Sequence, residues 1–196
     1  MKTINLLITG MILIAATMTS SVAQAQQQYQ LKEGSYSIKI DGTSNVHDWE
    51  MEAKKVAGNV VVQWASNTPK NFENLNIKVP AKKLESGKRI MNNKTYDALE
   101  AEEHPTIHFN LISVSDLESS ANSFTGTATG KLTIAGESSI MSIPFEGEVL
   151  DDKTFTVKGD FSLKMTEFGI DPPTAMLGSL KTGDKVKLNY SMTFNR

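Results

Sequence analysis

The sequence predicts an all-β protein, an antiparallel up-and-down β-barrel of about eight strands with one short helix. Three observations predict it. Segments of two-residue alternation recur along the chain, divided by turn chemistry. Their order is three strands, one helix and five strands, without the strand–helix alternation of a parallel sheet. Glycines recur on the apolar faces, at Gly58, Gly126, Gly130, Gly147 and Gly159. A sandwich shares this strand count. The inward glycines favour a barrel, because glycine lets a strand coil sharply and leaves room behind it. Eight strands can also enclose one small ligand.

Taken in order, residues 1–25 read as an export signal. Lys2 supplies the positive charge, Ile4 to Ala16 is an apolar run, and Ala23-Gln24-Ala25 is an A-x-A cleavage site. The run is shorter than the ~20 residues of a spanning helix, so no membrane span is expected after cleavage. The localisation implied is periplasmic or secreted. The Gln-rich stretch gives an expected disordered lead-in over residues 26–33, and residues 34–196 form one domain. The chain has no Cys, which excludes disulfides and a lipoprotein acylation site. Its formal net charge of −2 and the lack of a basic stripe argue against nucleic acid.

The strands follow. Tyr36, Ile38 and Ile40 alternate with Ser35, Ser37 and Lys39. Val56, Gly58, Val60, Val62 and Trp64 share one face of the second run, and Leu75, Ile77 and Val79 form the third, which Pro80 ends. Met91, Thr95 and Leu99 recur at four-residue spacing, so Met91 to Ala101 is the helix, closed by Pro105. Five more runs centre on Ile107–Leu111, Phe124–Ile134, Ile143–Val149, Phe155–Leu163 and Val186–Phe194. Asn67-Thr68-Pro69, Leu117 to Ser123, Asp151-Asp152-Lys153 and Lys181 to Asp184 supply loop chemistry between them.

The Phe124 strand is the most informative. Its odd positions from Thr125 to Thr133 form a threonine-rich outer face. Its inner face reads Phe124, Gly126, Ala128, Gly130, Leu132, large at the ends and nearly bare in the middle. A close-packed core would fill that space. Either other strands fill it from across or it is kept for a guest. The expected lumen residues are these five with Phe145, Gly147, Phe161 and Tyr190.

Catalytic signals are weak. His104 and His108 flank Pro105 in an extended stretch, where four residues span ~13 Å, too far for two ligands of one metal. Glu146 and Glu148 fall on an outward face, and there is no G-x-S-x-G elbow. The expectation is therefore no enzyme, no metal and no cofactor. Lys88, Arg89 and Lys94 cluster at the start of the helix and Glu100, Glu102 and Glu103 at its end, against the macrodipole preference. That arrangement reads either as a solvated charge pattern or as a site for an anionic head group. Tyr96, Phe168, Trp49 and Trp64 stand near strand ends or loops, as core or as lining of a mouth.

Four pieces in order resemble the YceI-like family of exported lipid- and polyisoprenoid-binding proteins. They are Gly42-Thr43-Ser44-Asn45-Val46-His47-Asp48-Trp49, then Tyr96-Asp97-Ala98-Leu99 leading to His104-Pro105-Thr106-Ile107-His108-Phe109. Next come Gly126 with Gly130 to Gly136, and Phe168-Gly169-Ile170 before Gly183-Asp184-Lys185-Val186. The resemblance runs from about Gly34 to the C-terminus and implies a lipocalin-like barrel holding an isoprenoid-type lipid. The helical segment departs from the family. Ile90 follows Arg89, Asn92 stands for a His, Lys94 for an Arg, and Ala98-Leu99 for a Phe pair. The expected function is sequestration or carriage of a long apolar, polyisoprenoid-type lipid. Its head group would meet Lys88, Arg89, Lys94, Tyr96 and Phe168. The alternative is an exported structural or partner-binding β-protein with a filled core.

Overall fold

A computed structural model describes residues 25–120, 122–175 and 178–196. The signal segment, up to residue 24, lies outside them. The strands are β1 (Ala25–Ser44), β2 (Trp49–Ala53), β3 (Ala57–Ala65), β4 (Thr68–Pro80), β5 (Leu84–Glu85), β6 (Thr106–Ser120), β7 (Ser123–Ile134), β8 (Glu137–Asp151), β9 (Thr154–Lys164), β10 (Thr174–Ala175) and β11 (Leu180–Asn195). One α-helix, α1 (Arg89–Ala98), lies between β5 and β6.

Eight strands close a barrel in the order β1-β3-β4-β6-β7-β8-β9-β11, and β11 pairs back onto β1. Every pairing is antiparallel, from Gln30↔Asn195 to Gly42↔Val186 at the closure. These are the eight expected strands, with the helix where the order of elements puts it. β2, β5 and β10 are short additions at one end. β1 bends at a register shift between Leu31 and Tyr36, beside Gly34 at φ 71°. Its first half pairs with β3 and its second with β2.

The Gln-rich lead-in is not disordered. Gln26 to Gln30 pair with Gln63 back to Asn59, and Tyr29 is buried. Composition misleads there because strand backbone bonds are indifferent to Gln side chains, and one buried aromatic anchors the register. The helix also ends three residues earlier than the apolar spacing suggests. Glu100 takes the left-handed conformation at φ 50°. The Ala101 N–H donates to Tyr96 O and the Glu100 N–H to Asp97 O, a Schellman stop without glycine.

Aromatic rings close one end of the barrel. Phe155 stacks on Phe194 with centroids 5.4 Å apart. It meets Tyr29 edge-on at 5.0 Å and Trp64 at 6.1 Å. Phe72 and Phe124 extend the cluster, 5.5 Å apart. Rings at these separations gain beyond simple area burial, so this end forms a dense floor. The other end carries α1, the β1–β2 turn and β10.

Candidate functional site

Between floor and helix runs one cavity of about 900 Å³, near the top of the range for small-molecule sites. Its depth is apolar. Phe72, Phe145, Phe155 and Phe194 line the bottom, and Val114, Ala128, Ile143, Val157 and Tyr190 line the middle. Met51, Met91, Leu132, Leu163 and Val186 line the upper part. Polar lining gathers at the helix end, where Ser44, His47, Lys88, Arg89, Lys94, Thr174 and Thr182 meet. The shape suits a long apolar body with one polar end.

The expected lumen residues divide. Ala128, Leu132, Phe145, Phe161 and Tyr190 line the cavity. Phe124 lies in the floor behind it, and Gly126, Gly130 and Gly147 do not reach it, because a large side chain lies across each of them. A Cβ on Gly126 would stand 2.8 Å from the Phe145 ring, one on Gly130 2.4 Å from Phe109, and one on Gly147 2.1 Å from Phe124. Gly126 and Phe145 are direct cross-strand partners, as are Gly147 and Phe124, Gly159 and Tyr190, and Gly58 and Ile77. The glycines thus leave no vacancy of their own. They let neighbouring side chains lie close to the wall, and the open space is the axis beyond them. At Ala128 the wall is thin, since its partners Val114 and Ile143 are aliphatic and also line the cavity.

The Tyr190 hydroxyl donates to Pro144 O at 3.1 Å, and burial pushes its phenol well above the usual range. Its polar tip is therefore occupied in the wall, and the ring faces the guest space as an apolar surface.

The mouth is built by the Gly42–Trp49 segment and α1. Gly42 has no Cβ to obstruct its partner Trp49, whose ring would otherwise lie 2.1 Å from that atom. The Trp49 indole donates to Thr43 O at 3.0 Å. Ser44 Oγ donates to His47 O at 2.6 Å and accepts from the N–H groups of Val46 and His47. Asn45 ties this turn to the start of β11, accepting from the Lys181 N–H at 2.9 Å and donating to Ser179 O at 2.8 Å. Helix α1 lies over the opening with Met91, Lys94, Thr95 and Ala98 toward the cavity, the spacing of one helical face. It has no buried residue, and the Thr95 hydroxyl donates to Met51 Sδ at 3.2 Å. Asn92 is engaged away from the lumen, accepting from the Ser86 N–H and hydroxyl, both at 2.8 Å.

Lys88, Arg89 and Lys94 are among the residues that line the mouth, whereas Tyr96 and Phe168 do not line the cavity. Tyr96 is half-buried on α1, and burial raises its phenol. Phe168 is fully buried. It ends a short 3-10 turn, Met165–Phe168, that Gly169 terminates at φ 66°. Asp184 holds that turn, accepting from the Thr166 N–H at 2.9 Å and hydroxyl at 2.8 Å. Trp49, offered by the sequence as core or mouth lining, lines the cavity, and sequence reasoning missed Met51, Phe109 and Val114. For Phe109 the alternation already supplied the signal. For Met51 the five-residue strand was too short to recognise.

Glu146 faces outward and pairs with Lys158 at 3.3 Å. His108 alternates with the lining residues Ile107 and Phe109. His104 packs on Gly136 and lies 3.7 Å from Glu100. Among the described residues, Glu100, Glu103 and His104 form one exposed group close enough to share an ion.

The sequence model of the YceI-like domain family matches residues 17–194. No curated protein sequence matches the chain. A polyisoprenoid binding domain from Saccharophagus degradans superposes with a TM-score of 0.68 at 11% identity, covering 85% of this chain and 97% of that one. BcnA of Burkholderia cenocepacia gives 0.66 at 16% identity, covering 83% and 98%. The YCEI protein of Campylobacter jejuni gives 0.55 at 19% identity, covering 74% and 84%. At these identities the likeness is one of fold.

Proposed function

The chain belongs to the YceI-like domain family, and from that premise we propose that it sequesters or carries a long apolar lipid of polyisoprenoid type in its lumen, without transforming it. One observation carries the reading: a single deep cavity, apolar along its length, with its polar lining confined to one end. The apolar chain is held by burial worth roughly 25 cal/mol per Å². Ala128, Leu132, Phe145, Phe161 and Tyr190 contact that chain, and Lys88, Arg89 and Lys94 orient an anionic head at the mouth. The polyisoprenoid-binding relative supports this ligand class. The protein acts after export to the periplasm or beyond, with cleavage after Ala25. Among the described residues no helix is long and apolar enough to cross a membrane.

The test is mass spectrometry of an organic extract of gently purified protein. A stoichiometric polyprenyl lipid is the expected result. A lipid-free protein that also declines added polyprenol would leave the alternative of an exported partner-binding β-protein.

A further inference from the structure

Five large apolar side chains are exposed among the described residues: Val46, Ile90, Ile112, Ile140 and Leu150. Single exposed apolar residues are ordinary. The two most exposed, Ile90 at 76% and Val46 at 65%, stand on the two elements that frame the cavity mouth. Ile90 is in the first turn of α1, and Val46 is between the mouth residues Ser44 and His47. Val46 is held outward by a turn that hydrogen bonds fix on both sides, through Ser44 and Asn45.

Charge is arranged on the same rim. Lys88, Arg89 and Lys94 stand together at the mouth and, like most basic side chains among the described residues, are in no ion pair. Glu100, Glu102 and Glu103 follow the other end of α1, where Lys82 holds Glu102, and the rim's own acidic side chains, Asp48 and Glu85, form no ion pair with the three cations. The mouth thus combines two exposed apolar side chains, of which Ile90 also borders the cavity, with three clustered cations held in no ion pair. That pairing complements an anionic lipid surface, where apolar tips enter the interface and cations meet phosphates.

We propose that the barrel docks mouth-first on an anionic bilayer, with Ile90 and Val46 inserted and Lys88, Arg89 and Lys94 against lipid phosphates. The cavity opens at the contact, so a long apolar guest passes between bilayer and lumen without crossing water. This purpose rests on the lumen holding lipid; the docking itself does not.

The experiment is flotation of the protein with phosphatidylcholine vesicles and with vesicles that also contain phosphatidylglycerol. Native mass spectrometry of polyprenol delivered from detergent is run beside it. Binding to the anionic vesicles, weakened by salt, is expected. Val46→Asp lies outside the cavity lining and should reduce vesicle binding about tenfold by placing a charge in the interface. It should leave detergent-delivered filling unchanged. Ile140→Ser, on the outer wall, should change neither. Equal binding to both vesicle types, or binding untouched by Val46→Asp, overturns docking by this rim and leaves the rim to a protein partner. Vesicle binding by a barrel that takes no polyprenol would keep the docking and remove the carrier reading.

Discussion

Phe124 lies across Gly147, its direct partner on the neighbouring strand, so closely that a Cβ on the glycine would stand 2.1 Å from the ring's Cζ. Phe124 is 1% exposed and packed against Phe72 and Phe155, so the ring cannot retreat. Gly147→Ala should therefore cost ~1–3 kcal/mol by overpacking. The cavity lies on the far side of the ring, so lipid binding should persist. Urea unfolding with a binding titration checks both halves. An undiminished stability would mean that the glycine serves only strand curvature.

The aromatic floor sets the depth of the cavity. Phe145 borders both the cavity and the ring cluster, 5.8 Å from Phe72 and 6.2 Å from Phe124. Phe145→Leu removes ring volume at that boundary while keeping the residue apolar. The preferred chain length should shift upward, read by competition between polyprenols of increasing length. A shift toward shorter chains would place the terminus of the guest elsewhere.

The mouth cations predict head-group discrimination. Replacing Lys88, Arg89 and Lys94 together by Gln should weaken binding of a polyprenyl diphosphate more than of the neutral alcohol. It should also flatten the salt dependence, because salt screens exposed charge. Equal losses for the two lipids would return these side chains to plain solvation.

Asp184 predicts a pH dependence. The Thr166 backbone N–H, with the Thr166 hydroxyl, holds its carboxyl below the usual carboxylate range. A depressed carboxylate stabilises the fold above its unfolded pKa of about 4, and the gain is lost as pH falls through the folded value. Asp184→Asn, neutral at every pH, should melt below the parent at neutral pH. The two should converge in acid. Melting curves across pH check this, and a gap that persists in strong acid would assign the loss to shape rather than charge.

The strand order and the position of the helix were legible because alternation reports burial directly. The pairs Gly126–Phe145 and Gly147–Phe124 were not. Sequence displays a bare face but not the ring that a neighbouring strand lays over it, since register is a property of two strands. Phe168 illustrates a second limit. Its place near a strand end or loop was legible, but which way it faced depended on Asp184 reaching Thr166 from β11. The Gln-rich segment of β1 hid its strand because pairing there uses backbone groups that composition does not report.

Ala128 tests the lumen most directly. It lines the cavity between its cross-strand partners Val114 and Ile143, both aliphatic and both lining residues. Ala128→Phe should project a ring into the guest space. The measurement is polyprenol binding by native mass spectrometry on this variant, with its melting temperature taken on the same sample. Strongly reduced binding with the melting temperature kept is the predicted result, because the space for the ring already exists. A clearly lowered melting temperature in a protein that never held lipid would mean a filled core, with a cost of ~1–3 kcal/mol from overpacking, and would contradict the carrier reading.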